Sequence, residues 1–338
     1  MHGCVSLSSG LRKTCGKVIA SPDCFGTRSI GSDLVSNLLT IGTQRRMRQG
    51  FGILSAMKYR PIILGTSSFT ATGWPGSFYP RGLRPADYLR YYAQHFDTVE
   101  IDSTFYATPN VNVVRSWNAK TPEGFLFAAK VPQEITHKRV LKDCDEEFKV
   151  FLTTMDALGE KLGPLLFQFG KFDKYSFKSL DDFLERLIPF LKKLPKGHSF
   201  AVEIRNKNWL VPKFADILRE HGVVLALIDQ SWMPRPWEMK DQFDLITADF
   251  TYVRWLGDRK GIEEKKKTWD KVIVDRQGDL VEWVGLLKKV HERRIMILAF
   301  ANNHYAGHGP GTLELFRELW GDKGLPAASG KQPSLFEP

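Results

Sequence analysis

The sequence predicts an α/β chain folded as a single (β/α)8 TIM barrel, and three observations carry that prediction. Eight short apolar runs rich in Val, Ile, Leu and Phe punctuate the 338 residues, as suits strands buried on both faces of a parallel sheet. Helix-like or loop-rich segments separate them, which is the alternation of an α/β fold. Each run carries a polar or charged residue at or next to its end, and in such barrels the carboxyl ends of the strands carry the active site.

In order the expected strands are Ile63–Ser67, Thr98–Asp102, Phe125–Lys130, Leu165–Phe169, Phe200–Arg205, Val224–Asp229, Phe250–Trp255 and Ile295–Asn303. A long aromatic loop, Phe69–Pro80, follows the first. Helices are expected near Pro85–Phe96, with Pro85 tolerated in the first turn, then Asn112–Lys120, Asp143–Leu158, Ser179–Leu191 and Pro212–Glu220. Gly222 ends the last of these as a C-cap would. Only the second half of the Pro- and Trp-rich segment Ser231–Ala248 suits a short helix, and Gly257–Asp275 reads as a long, partly structured loop. Helices near Leu280–Glu292 and Thr312–Trp320 complete the chain. The barrel is assigned residues 57–321.

Two flanking segments are set apart. Residues 1–56 lack a sustained strand or helix period and read as a disordered extension, either an organellar transit segment or a gene start placed too early, with Met47 or Met57 as the alternative. Residues 322–338 read as a flexible tail. The tail contains Gln332, Leu335 and Phe336 in the spacing of a short peptide that docks on bacterial sliding clamps; the blander reading is a chance tail.

The net charge of +10 invites a nucleic-acid reading, but its distribution weakens that inference. Residues 1–60 hold nine Lys/Arg against two acids, a net of +7, and leave +3 for the other 278 residues. A nearly balanced body has no basic stripe. The four cysteines, Cys4, Cys15, Cys24 and Cys144, form neither a disulfide framework nor a metal-ligand spacing. A reducing, cytoplasmic setting is expected. No apolar stretch approaches the roughly 18–20 residues that span a bilayer, so no membrane partner is expected.

Side chains alternate along a strand, so Glu100 and Asp102 share one face, as do Glu203 and Arg205. Burying a charged pair beneath helices costs several kcal/mol per ion, so the barrel mouth is the cheaper place. The same reasoning places Lys130, Gln168, Asp229, Arg254 and Asn302 there. Glu100, Asp102, Lys130, Glu203 and Asp229 are the candidate catalytic residues, because mixed charge separates pKa values and supplies both an acid and a base. Trp74, Tyr79, Tyr106, Gln168, Arg205, Trp209, Arg254, Asn302, Asn303 and His304 are the candidate ligand contacts. Trp74, Trp209, Trp232, Trp237 and Trp255 fall in or beside loops after strands, where exposed rings would stack on sugars or bases. The competing reading is an ion-pair layer that caps the core under packed loop aromatics.

Metal chemistry fits poorly, since His137, His304 and His308 are the only histidines near strand ends, although Glu100, Asp102 or Glu203 could hold Mg²⁺. No cofactor is expected, and Walker, Gly-x-Gly-x-x-Gly and Gly-x-Ser-x-Gly motifs are missing from the sequence.

The segments Gly65–Pro80, Val99–Pro109, Phe125–His137, Leu162–Phe169, Ala201–Leu210, Tyr252–Arg259 and Phe300–Leu319 together resemble the YecE-like family, domain of unknown function 72. The resemblance runs from about Pro61 to Trp320 and implies a barrel of the triosephosphate-isomerase type. It implies no established reaction. Its fold-level similarity to sugar isomerases and to endonuclease-IV-type barrels is weak evidence for chemistry. Asp102 stands where the family usually has Asn, which adds a carboxylate beside Glu100. Gly170 replaces a usual Pro, and Gln230-Ser231 follows Asp229 where a Pro is common.

Three functions compete. The preferred one is an enzyme acting on a saccharide or sugar phosphate, with a small sugar or phosphate ligand as partner. The second is a nucleic-acid-associated barrel that takes up a nucleotide or abasic sugar and is recruited to a clamp. The third is a non-catalytic binder of an anionic ligand.

Overall fold

Eight parallel strands follow one another around a barrel, each delivering the chain to a helix or turn outside it. The structure, a computed structural model, describes residues 62–321. The extension 1–56 and the tail with Gln332, Leu335 and Phe336 therefore lie outside the described residues.

The strands are β1 (Ile62–Thr66), β2 (Thr98–Ile101), β3 (Leu126–Lys130), β4 (Leu162–Gln168), β5 (Phe200–Glu203), β6 (Val224–Gln230), β7 (Phe250–Gly257) and β8 (Met296–Ala301). Hydrogen-bonded neighbours run β1-β8-β7-β6-β5-β4-β3-β2. The remaining seam, between β1 and β2, is closed by a side chain. Thr66 N–H donates to Tyr92 Oη (2.8 Å), which in turn donates to the Thr98 carbonyl (3.0 Å). Strand β1 lies so near β2 that a Cβ on Gly65 would sit 2.0 Å from the Thr98 carbonyl oxygen. Only glycine permits that approach.

The larger outer helices are α1 (Tyr88–Tyr92), α2 (Val111–Lys120), α3 (Asp145–Met155), α4 (Leu180–Lys193) and α5 (Pro212–Glu220). They continue with α6 (Pro236–Met239), α7 (Arg259–Lys265), α8 (Gln277–Glu292), α9 (Asn303–Ala306) and α10 (Gly309–Trp320). Capping explains several starts: Asn110, Ser179, Asp258, Asn302 and His308 each accept a hydrogen bond from a backbone N–H of the first turn. The short helix in the Ser231–Ala248 segment lies earlier than expected, because Pro236 at its first turn starts it. Asn302 and Asn303 lie beyond β8, because the Asn302 side chain caps α9 instead of continuing the strand.

Alternation divides each strand between two cores. Inside the barrel, Ile63, Leu126, Leu166, Val224, Phe250, Tyr252 and Phe300 belong to one apolar cluster. The opposite parity, including Leu227, Val253 and Trp255, packs under the helices in a much larger cluster. Cys144 is a free thiol buried in that outer layer.

Candidate functional site

The interior parity decides which strand-end side chains meet. Glu100, Asp102, Lys130, Glu203, Arg205 and Arg254 converge above the apolar filling. Arg254, supplied by β7, donates from Nη1 to Glu203 Oε2 (2.5 Å), and from Nη2 and Nε to Glu100 Oε1 (2.7 and 3.2 Å). Two residues earlier on the same face, Tyr252 donates to Glu100 Oε2 (2.6 Å). Arg205 donates from Nε to Glu203 Oε1 (2.9 Å). Glu100, Glu203 and Arg254 are fully enclosed, so this network forms the floor of the site.

Asp102 and Lys130 sit above it. Asp102 Oδ1 lies 3.6 Å from both Lys130 Nζ and Arg254 Nη2. That oxygen is buried without a hydrogen-bond partner, so the 33% of the side chain open to solvent lies elsewhere on it. The Lys130 ammonium also stands 4.3 Å above the Phe105 ring, a cation–π contact. His137 joins the site from an unanticipated π-helical turn, Glu134–Lys138. Its ring meets Phe105 edge-on at 4.9 Å.

Three carboxylates thus face three cations, and two of the carboxylates, Asp102 and Glu203, are driven apart in acidity. Burial, the largest influence, pushes the Asp102 carboxyl up to about 6; Glu100 adds to the rise, and Lys130 and Arg254 restrain it. Burial also acts to raise Glu203, but Arg254 and Arg205 outweigh it and hold that carboxyl at about 2. Lys130 falls below its ordinary value through burial and the Arg254 charge, against the pull of Asp102. His137 is lowered by burial, with Lys130 and Arg205 adding to the effect. With every group ionised the cluster is neutral, and a proton on Asp102 makes it +1.

Several expected members stand elsewhere. Asp229 has the outer parity: β6 pairs Ile228 with Arg254 and Asp229 with Trp255, so Asp229 points beneath the helices. There it accepts from Trp283 Nε1 of α8 (2.8 Å) and Tyr305 Oη of α9 (3.0 Å), and pairs with Arg235. It has no part in the mouth. Trp74, Tyr79 and Trp209 are buried and form no exposed platform. Trp74 donates to Asn303 Oδ1 (3.1 Å), Tyr79 Oη donates to the Phe69 carbonyl, and Trp209 stacks on Phe183 at 5.2 Å. Apolar loop rings roof the barrel because burying them is worth more than displaying them. Trp255 is likewise buried, whereas Trp232 is 47% and Tyr106 72% exposed.

Gln168 keeps the interior parity but turns its amide to the Phe169 carbonyl (2.7 Å). Asn302 caps α9 and meets His304 Nδ1 (2.6 Å), while His304 Nε2 meets Glu263 (2.9 Å). Asn303 Oδ1 also accepts from Gly309 N–H (2.8 Å). These three hold loops together. Among the described residues no group of three or more His, Cys, Asp or Glu is arranged to hold a metal ion. The Arg254 guanidinium occupies the place between Glu100 and Glu203 where a shared cation would bind.

Sequence reasoning left Tyr252, Phe105 and His137 out of the candidate site, although it noted His137 near a strand end. Tyr252 was within reach, since a strand places residues two apart on one face. The other two depend on how the turns after β2 and β3 fold over the mouth.

Comparison with known proteins bears on this geometry. The family model described as "Protein of unknown function DUF72" matches residues 63–334. UPF0759 protein YunF of Bacillus subtilis is similar at 28% identity over 257 residues, 70% of this chain and 88% of that protein. UPF0759 protein YecE of Escherichia coli is 34% identical over 121 residues; the match spans 36% of this chain and only 42% of YecE. A solved DUF72 family structure from Thermotoga maritima superposes with a TM-score of 0.61 at 26% identity, covering 76% of this chain and 98% of that one. Among the described residues no helix is long and apolar enough to cross a membrane.

Proposed function

This chain belongs to the DUF72 family of proteins of unknown function, and from that premise we propose that it is an enzyme that moves a proton on a saccharide or sugar phosphate at the barrel mouth. The observation that carries the reading is the Asp102–Lys130 pair, 3.6 Å apart and partly open to solvent above a sealed ionic floor. A carboxyl near 6 exchanges its proton readily at neutral pH, and general acid–base catalysis is most efficient when the pKa lies near the working pH.

The floor supplies electrostatics. Arg254 is fixed by two carboxylates, so it does not reorganise when charge develops above it, and a preorganised cation stabilises an oxyanion without that cost. In the proposed reaction Asp102, as the carboxylate, removes a proton from a carbon beside the sugar carbonyl. Lys130, as the ammonium, donates a hydrogen bond to the enolate oxygen that forms. Return of that proton from Asp102 to the former carbonyl carbon, while the hydroxyl proton of the neighbouring carbon passes by way of Lys130 to the former carbonyl oxygen, completes an aldose–ketose isomerisation and restores both groups. Glu203, held near 2, remains a carboxylate and serves to position Arg254 and Arg205.

Incubation in D₂O with a panel of aldoses, ketoses and their phosphates should show deuterium entering a C–H beside the carbonyl, followed by NMR. Asp102→Asn should slow that exchange by about 10²–10⁴, the usual worth of a general base, while leaving the fold intact. A wild-type protein that binds such a sugar yet exchanges no proton would refute the reading.

A further inference from the structure

Beside the mouth lies a cavity of about 300 Å³ whose lining includes Lys171, Arg205, Lys207, Asn208, Trp209 and Trp232. Three of these are cations, and no carboxylate lines the cavity. Lys171 and Lys207 are exposed and form no ion pair among the described residues. Arg205 belongs to both regions. Its Nε is tied to Glu203 Oε1 inside the barrel at 2.9 Å, while its Nη groups hold no hydrogen bond among the described residues. The guanidinium is therefore oriented at one edge and open at the other.

The frame is built. Asn206 clamps the loop after β4, accepting from Phe172 N–H (2.9 Å) and donating to its carbonyl (2.9 Å). This fixes the loop carrying Lys171 against the turn carrying Arg205 and Lys207. Trp209 stacks on Phe172 behind the cavity at 5.8 Å. Trp232, nearly half exposed, forms its free wall and also borders a second cavity of about 510 Å³ with Asp258, Arg259 and Glu263.

A pocket lined by three N–H-bearing cations and no anion suits a doubly charged, multiply accepting group, and a planar guanidinium suits its tetrahedral oxygens. We propose that this cavity is a phosphate subsite, so that the ligand is a phosphorylated sugar whose phosphate is held by Lys171, Arg205 and Lys207. The sugar ring lies against Trp232 and its reacting carbon reaches Asp102. The identity of the sugar rests on the proton-transfer reading above; the phosphate subsite does not. A monoester is favoured over a nucleic-acid strand because the cavity across Trp232 balances three acids (Asp258, Glu263 and Glu264) with three cations (Arg259, Lys260 and Lys267) and so offers no net positive charge to a continuing phosphodiester chain.

Calorimetric titration of the full chain tests this with inorganic phosphate, glucose 6-phosphate, glucose and a single-stranded oligonucleotide. Glucose 6-phosphate should bind at least tenfold more tightly than glucose. Lys171→Ala/Lys207→Ala should weaken both inorganic phosphate and glucose 6-phosphate by at least tenfold. Both lysines are exposed, so the fold tolerates the change. Trp232→Ala should weaken glucose 6-phosphate and leave inorganic phosphate unchanged. Asp102→Asn should still bind phosphate. Phosphate binding that needs the lysines, in a protein that exchanges no sugar proton, would uphold the subsite and remove only the proposed reaction. Equal phosphate affinity in wild type and the double lysine variant would overturn the proposal, as would tighter binding of the oligonucleotide than of glucose 6-phosphate.

Discussion

Two buried acidic sites lie at the same end of this barrel, one inside the ring of strands and one outside it. Inside, Glu100 and Glu203 share Arg254 beneath the partly open Asp102–Lys130 pair. Outside, Asp229 is sealed by Arg235, Trp283 and Tyr305. Both hold carboxylates at strand ends, and both set them against an arginine. The difference is solvent. The inner site ends in groups that can reach a ligand, whereas the outer one joins β6 to α8 and α9. A buried charge at the carboxyl end of a barrel strand is therefore not evidence of function until its face is known.

The largest effect expected from breaking this contrast is at Arg254. Arg254→Met removes the cation from two enclosed carboxylates and should cost about 3–5 kcal/mol in urea denaturation. A loss below about 1 kcal/mol would show that the floor is hydrated and not a sealed network.

At the outer site Asp229→Ala leaves Arg235, the Trp283 indole N–H and the Tyr305 hydroxyl without their acceptor. The expected cost is about 2–4 kcal/mol, with ligand binding at the mouth unchanged. Loss of binding with little loss of stability would return Asp229 to the functional site.

The smallest effect sharpens the comparison within the inner site through pH. Asp102 titrates at about 6 in the fold against an ordinary 3.8. Between those values the folded chain holds more protons than the unfolded one, so the contribution of Asp102 is present below 3.8 and is lost as pH rises through 6. Its partial exposure reduces the swing to roughly 1–2 kcal/mol. Glu203 has the opposite sign: its contribution is present above 4.5 and is lost as pH falls towards 2. Across about pH 4 to 7, wild type should lose roughly 1–2 kcal/mol relative to Asp102→Asn in denaturation midpoints. Parallel pH profiles would show that Asp102 keeps its ordinary acidity.

The barrel was legible because every expected strand is apolar on both faces and carries a polar residue at or next to its end. Val224–Asp229 shows the limit of that signal. In a run buried on both sides the two faces carry the same kind of side chain, so nothing in Val-Leu-Ala-Leu-Ile-Asp marks which parity is interior. Glu100/Asp102 and Glu203/Arg205 could be placed because two polar residues at a spacing of two define a face. The loop tryptophans misled for a related reason, since a ring that roofs a barrel and a ring that stacks on a ligand have the same composition and position.

The sequence by itself determined the eightfold alternation, the single barrel and the charged residues at the carboxyl ends of the strands. These follow from periodicity and burial, which are local properties of the chain. Only the tertiary structure decided that Arg254 lies between Glu100 and Glu203, that Asp229 faces the helices, that His137 and Phe105 fold over Lys130, and that Arg205 opens onto a cationic cavity. Each of those depends on register between strands and on turns meeting across the barrel mouth, where Arg254 and Glu100, 154 positions apart, come into hydrogen-bond contact. No local pattern encodes such a distance.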